Sequence, residues 1–116
     1  MREEIMEEPL THNSSTNLFE DLLANAVVES LEEILGSVAT KAIVRMIAEL
    51  NQSSIESALR NPKAIHLGLL GLFGYGGKII ERRILQKLND NIGIKIDENG
   101  DFLEEIERIK LSYFML

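Results

Sequence analysis

Apolar residues recur along this chain every three or four positions, between short polar or glycine-bearing breaks, and that period predicts helices throughout. The first pattern starts at Asn17. Leu18, Leu22, Ala26 and Leu31 share a stripe, widened by Phe19, Leu23, Val27, Ile34 and Leu35, and Glu20, Asp21, Glu29, Glu32 and Glu33 mark the wet side. Asn17 is the expected N-cap, with Glu20 three residues on, and Gly36 is the expected stop. Ser37 then caps a second helix running to about Leu50. Its predicted core stripe is Ala39, Ala42, Ile43, Met46, Ile47 and Leu50, with the solvated row Lys41, Arg45 and Glu49 opposite. Ser53 and Glu56 match a capping box and open a short helix over 54–60 that presents Ile55, Ala58 and Leu59.

Residues 61–92 are the stretch around which the rest is expected to pack. Asn61 is placed as a cap, with Pro62 at the first helical position, where its missing amide costs nothing. The helix predicted over 62–73 is apolar nearly all round: Ile65, Leu69, Leu72 and Phe73 make one face, Leu67 and Leu70 another. Gly68 and Gly71 each cost such a helix ~1 kcal/mol, so close approach of a neighbouring backbone is the expected compensation. Gly74, Tyr75, Gly76 and Gly77 read as a glycine-rich break. Beyond it Ile80, Ile84, Leu85 and Leu88 form a core stripe, while Glu81, Arg82, Arg83, Gln86 and Lys87 are placed in water, and Gly93 ends the helix. Ile94, Lys95 and Ile96 alternate, and Asp97 to Gly100 read as a turn. Asp101 with Glu104 caps a last helix with Phe102, Ile106, Ile109 and Tyr113 inward, and the terminal Phe114, Met115 and Leu116 are expected to dock. The fold class that follows is all-α, a compact antiparallel bundle of five or six helices, with a flexible acidic tail at 1–15 and a single helical domain at 16–116.

Composition narrows the functions. At 116 residues and 45% hydrophobic, the chain supports one modest core, built of aliphatic residues because aromatics are only 5%. The formal net charge of -7 opposes phosphate backbones, which disfavours nucleic acid as a partner. The absence of cysteine excludes disulfides and thiolate chemistry. The acidic start Met1-Arg2-Glu3-Glu4 does not read as a secretory leader, and no run approaches the ~18 apolar residues of a membrane span. A cytoplasmic protein without membrane contact is the expectation.

The candidate chemistry is sparse. Gly76, Gly77 and Lys78 at a helix start could hold an anion through free amides and the helix dipole. The P-loop pattern fails there, since no Ser or Thr follows Lys78 and no strand precedes it, and a tight turn between packed helices is the plainer reading. Asp97, Asn99 and Asp101 begin like a calcium loop, but Phe102 stands where that loop needs Gly and Arg108 where it needs Glu, so a capped turn is preferred. Lys78, Arg82, Arg83 and Lys87 form a basic helix face, for which the acidic first and last helices are the natural partners. His66 sits among apolar residues with no second His nearby, no convincing carboxylate pair and no Ser/His/Asp set. Catalytic residues, metal ligands and cofactors are therefore assigned to none.

Leu35-Gly36 followed by the Ala39/Ala42 helix, and Asn61-Pro62 followed by Leu72-Phe73-Gly74-Tyr75-Gly76, resemble small archaeal all-helical proteins of unknown function, over residues 29–96. The resemblance implies a helical fold and no activity. The leading expectation is a non-enzymatic interaction or regulatory module, a homodimer using His66, Leu67, Leu70, Phe73 and Tyr75 with the apolar C-terminus. A small-ligand or anion binder at Gly74 to Lys78 comes second, a nucleic-acid-binding regulator third, and an enzyme last.

Overall fold

The computed structural model describes residues 14–97 and 99–115, with side chains from Leu18 onward. Among them six helices account for the regular structure: α1 (Ser14–Leu35), α2 (Ser37–Leu50), α3 (Ile55–Leu59), α4 (Pro62–Phe73), α5 (Gly76–Ile92) and α6 (Phe102–Phe114). No described helix is long and apolar enough to cross a membrane. The tail expected at 1–15 falls mostly outside the described residues. Residues 14 and 15 belong to α1, so Asn17 lies inside the helix and is not its cap.

The central layer is α1 against α5, with α4 beside α5. α6 packs on α5, α4 and α1, whereas α2 packs on α1, α3 and α4 and lies at the edge. The core is aliphatic as expected, around Phe19, Leu23, Leu31, Ile47, Ile65, Leu69, Ile84, Leu85, Leu88, Ile106 and Ile109. Burying side chains of this kind at ~1.5–3 kcal/mol each is the main force holding the helices together.

Local chemistry sets the helix ends. Asn61 Oδ1 accepts from the amides of Lys63 (3.0 Å) and Ala64 (3.4 Å), with Pro62 at the first helical position. Ser54, rather than Ser53, caps α3 by accepting from Ser57 N at 3.1 Å. Asp101 Oδ2 accepts from Glu104 N at 3.0 Å and starts α6. Gly36 and Gly93 close α1 and α5 at φ 87° and 81°, where L residues are strained. Ser37 does not cap α2. Gly36 holds that position, and Thr40 Oγ1 donates to its carbonyl at 2.7 Å.

The break between α4 and α5 is much shorter than the glycine run implies. Gly74 turns the chain at φ 55°, Tyr75 is already helical, and Gly76 and Gly77 form the first turn of α5. Gly77 is needed for space: a Cβ there would sit 2.8 Å from the Leu69 carbonyl oxygen. Gly68 does the same against Ile47, whose Cγ1 would lie 2.8 Å from its Cβ. Gly71 does not fit the expected pattern, because nothing stands within 4 Å of a Cβ built on it.

Three predicted faces need correction. In α1 the inward arc is Phe19, Leu23, Ala26, Val27, Ser30 and Leu31, which leaves Leu18 and Ile34 exposed. In α2 the buried residues are Thr40, Val44, Ile47 and Ala48; of the predicted core stripe Ala42, Met46 and Leu50 are exposed and Ala39 and Ile43 half-buried. The C-terminal Phe114 and Met115 are exposed instead of docked, although Tyr113 packs against Phe19 with ring centroids 5.8 Å apart. Leu116 lies outside the described residues.

Candidate functional site

Two surfaces stand out, one apolar and one polar. The apolar one lies along α2 and α4. Gly68 rests against Ile47, and Asn51 Nδ2 donates to the Ala64 carbonyl at 3.3 Å, so the two helices run antiparallel with Ile47 level with Gly68. At 3.6 residues per turn, Ile43, Met46 and Leu50 lie roughly 40–100° to one side of Ile47. Leu67 and Gly71 lie roughly 60–100° to the matching side of Gly68. In an antiparallel pair those sides coincide, so the residues share one outer face. Exposure agrees: Leu50 is 60% exposed, Leu67 57% and Met46 43%, with Ala42 and Gly71 open beside them. α2 thus has two apolar arcs, one on the core and one on solvent. Glu49 edges the face on α2 and Lys63 edges it on α4. Both are exposed, and neither has an ion pair among the described residues.

The predicted interface residues divide. Leu67 and Tyr75 are exposed, and Leu70 and Phe73 are half-buried. His66 faces away from that surface, into the second site.

The second site is a small polar cleft where α4, α5 and the start of α6 meet, with a volume of ≈ 70 Å³. His66 Nδ1 lies 2.5 Å from Glu81 Oε2, and the imidazole stands nearly parallel to the Phe102 ring at 6.2 Å. Glu81 is only 5% exposed, which corrects its placement on the wet face. Burial raises its pKa above the ordinary value, and the hydrogen bond from His66 works against that shift. With Glu81 ionised, Nδ1 is the donor and the tautomer is thereby fixed. Lys78, Arg82, Asn99 and Asp101 complete the lining.

The predicted basic face splits between two environments. Arg83 and Lys87 turn to α1: Arg83 Nη2 lies 2.8 Å from Glu33 Oε1, and Lys87 pairs with Glu33 and approaches Glu29 at 3.8 Å. These two cations hold the Glu33 carboxyl below its usual pKa, Lys87 most strongly. The expected intramolecular acidic partner is therefore present for this half. Lys78 and Arg82 face the cleft instead.

The amide cradle read from Gly76, Gly77 and Lys78 is largely occupied by helix bonds. Gly77 N donates to Gly74 O at 3.0 Å and Lys78 N to Tyr75 O at 3.1 Å. What remains of that reading is the Lys78 side chain. The turn after α5 is a capped one: Asp97 Oδ1 accepts from Asn99 N at 3.0 Å, Glu105 Oε1 accepts from Asp97 N at 2.9 Å, and Arg108 donates to Lys95 O at 2.9 Å. Arg108, with the Asp97 amide second, holds Glu105 below its usual pKa. Among the described residues no group of three metal-ligating side chains converges.

Comparison with protein-family models, curated proteins and solved structures gives no match. Function is argued from these two surfaces.

The His66–Glu81 pair is what sequence reasoning missed. The two residues lie fifteen apart on different helices. The available signal was weak: Glu81 follows the buried Ile80 and precedes Ile84 by three, so it borders the core stripe of α5.

Proposed function

We propose that this chain is a non-enzymatic interaction module of the cytoplasm that pairs with a second copy of itself through the outer face of α2 and α4. The observation that carries the reading is the apolar arc on both helices, open to solvent and crossed by Gly71, a helical glycine whose built Cβ would meet no described residue within 4 Å. A glycine that costs ~1 kcal/mol of helix propensity without internal compensation fits a position where another backbone comes close. Contiguous apolar surface rimmed by charge is the usual mark of a protein contact.

The rim supports a second copy as the partner. A two-fold axis parallel to the helices lays α2 of one copy over α4 of the other. In the observed register Glu49 is level with residue 66, about one helical turn from Lys63. The same symmetry therefore brings Glu49 of each copy near Lys63 of its partner, twice over.

A charge swap tests the pairing. Glu49→Lys and Lys63→Glu each place like charges across the contact and should weaken dimerisation, and the double variant should restore it. Two weak single variants with no recovery in the double would remove this geometry. Nucleic acid finds less support, because half of the basic face is spent on Glu29 and Glu33.

A further inference from the structure

The polar cleft between α4, α5 and α6 lies apart from the apolar face, and its carboxylates and its cations differ in how they are bonded. Its two carboxylates are already committed. Glu81 Oε2 is held by His66 Nδ1, and Asp101 Oδ2 accepts from Glu104 N at the start of α6. Its two cations are not. The Lys78 and Arg82 side chains line the cleft without a hydrogen bond or ion pair to any described residue, Lys78 acting on Glu81 only through its charge, while Arg83 and Lys87, on the next side of the same helix, are both paired. The Asn99 side chain adds another uncommitted amide to the wall.

We propose that this cleft binds the oxyanion head group of a small molecule, a carboxylate or a phosphate, between Arg82 and Lys78. The guanidinium offers the bidentate donor fork that carboxylates and phosphates accept, and the ammonium adds a second point charge. His66 Nδ1 occupies one oxygen of Glu81, so that oxygen is not offered to Lys78 or Arg82. The Phe102 ring closes the α6 side and keeps the His66 ring in place. Size sets the class of ligand. A cavity of ≈ 70 Å³ is well below the ~300–1,000 Å³ that encloses a whole drug-sized molecule, so a head group enters and the remainder stays outside.

The test is an amide-resolved NMR titration of the full chain with inorganic phosphate, and separately with acetate, each against sodium chloride at matched ionic strength. The expected result is saturable shifts at Lys78, Arg82, Asn99 and Gly100 with one or both oxyanions and not with chloride. Which salt saturates separates a phosphate from a carboxylate ligand. Arg82→Gln and Lys78→Gln change exposed residues and should fold normally. Each should weaken binding by about tenfold or more, the order expected for one charge-assisted hydrogen bond. Arg83→Gln, which alters the α1 contact instead, should leave it unchanged. Shifts that do not saturate, that chloride reproduces, or that survive both cleft substitutions would overturn the proposal.

Discussion

Replacing Gly77 with alanine probes the tightest crossing in the molecule. The added methyl would lie 2.8 Å from the Leu69 carbonyl oxygen, 3.0 Å from its carbon and 3.3 Å from Leu70 N. These are backbone atoms of α4 and cannot rotate away. Ordinary contact begins near 3.4 Å, so α5 must withdraw from α4 by roughly half an ångström along a seam that includes Ile65, Leu69, Ile80 and Ile84. Overpacking of this kind costs about 1–3 kcal/mol. Alanine returns at most ~1 kcal/mol of helix propensity, and less in the first turn. The net expectation is a loss of about 1–2 kcal/mol. Gly71→Ala, in open space on α4, is the matched control and should gain up to ~1 kcal/mol in the isolated chain. Urea unfolding followed by far-UV circular dichroism, at low protein concentration so that association does not enter, reads both as shifts in midpoint at constant slope. A Gly77→Ala variant as stable as the parent would refute the argument that Gly77 is there for close approach.

Other expectations follow from single features of the core and caps. Ser30 is fully buried on α1 and its hydroxyl finds no partner among the described residues, so Ser30→Ala should raise stability by about 1 kcal/mol in the same unfolding assay. Asp101→Ala removes the side-chain cap of α6 and should cost ~1 kcal/mol, with Asp101→Asn recovering most of it. The raised pKa of Glu81 means that the folded chain holds this proton to higher pH than the unfolded chain does. Its contribution is therefore fully present below the unfolded Glu value of about 4.3 and is lost as pH climbs through the higher folded value. Relative to Glu81→Gln, the parent should lose stability as pH rises from about 4 toward neutrality; a difference that is flat or grows with pH would show that burial does not dominate at this site.

The parts of the fold that the sequence revealed are those governed by local chemistry. Asn61 and Pro62 start α4 because capping involves only the next three residues. The inward stripe of α5, Ile80, Ile84, Leu85 and Leu88, was legible because charge surrounds it on the remaining positions. α2 was misread for the opposite reason. It is apolar on two arcs, so hydropathy alone did not say which one meets the core. The buried arc also contains Thr40, whose hydroxyl is satisfied by Gly36 O and so tolerates burial. The glycine run looked like a loop because composition does not distinguish a glycine that turns the chain, as Gly74 does, from one that admits a neighbour, as Gly77 does. The cleft was invisible for a related reason: Glu81 reads as solvated until the hairpin of α4 and α5 brings His66 to it.

The central claim is that a second copy covers the α2–α4 face. Sedimentation velocity across a dilution series from tens of micromolar downward, run for the parent and for Leu67→Glu, tests it most directly. The account predicts a parent mass near twice 13.1 kDa at the upper concentrations, falling on dilution, and a Leu67→Glu variant that is monomeric throughout with an unchanged helical spectrum. A parent that remains at the mass of one chain over the whole series would contradict it.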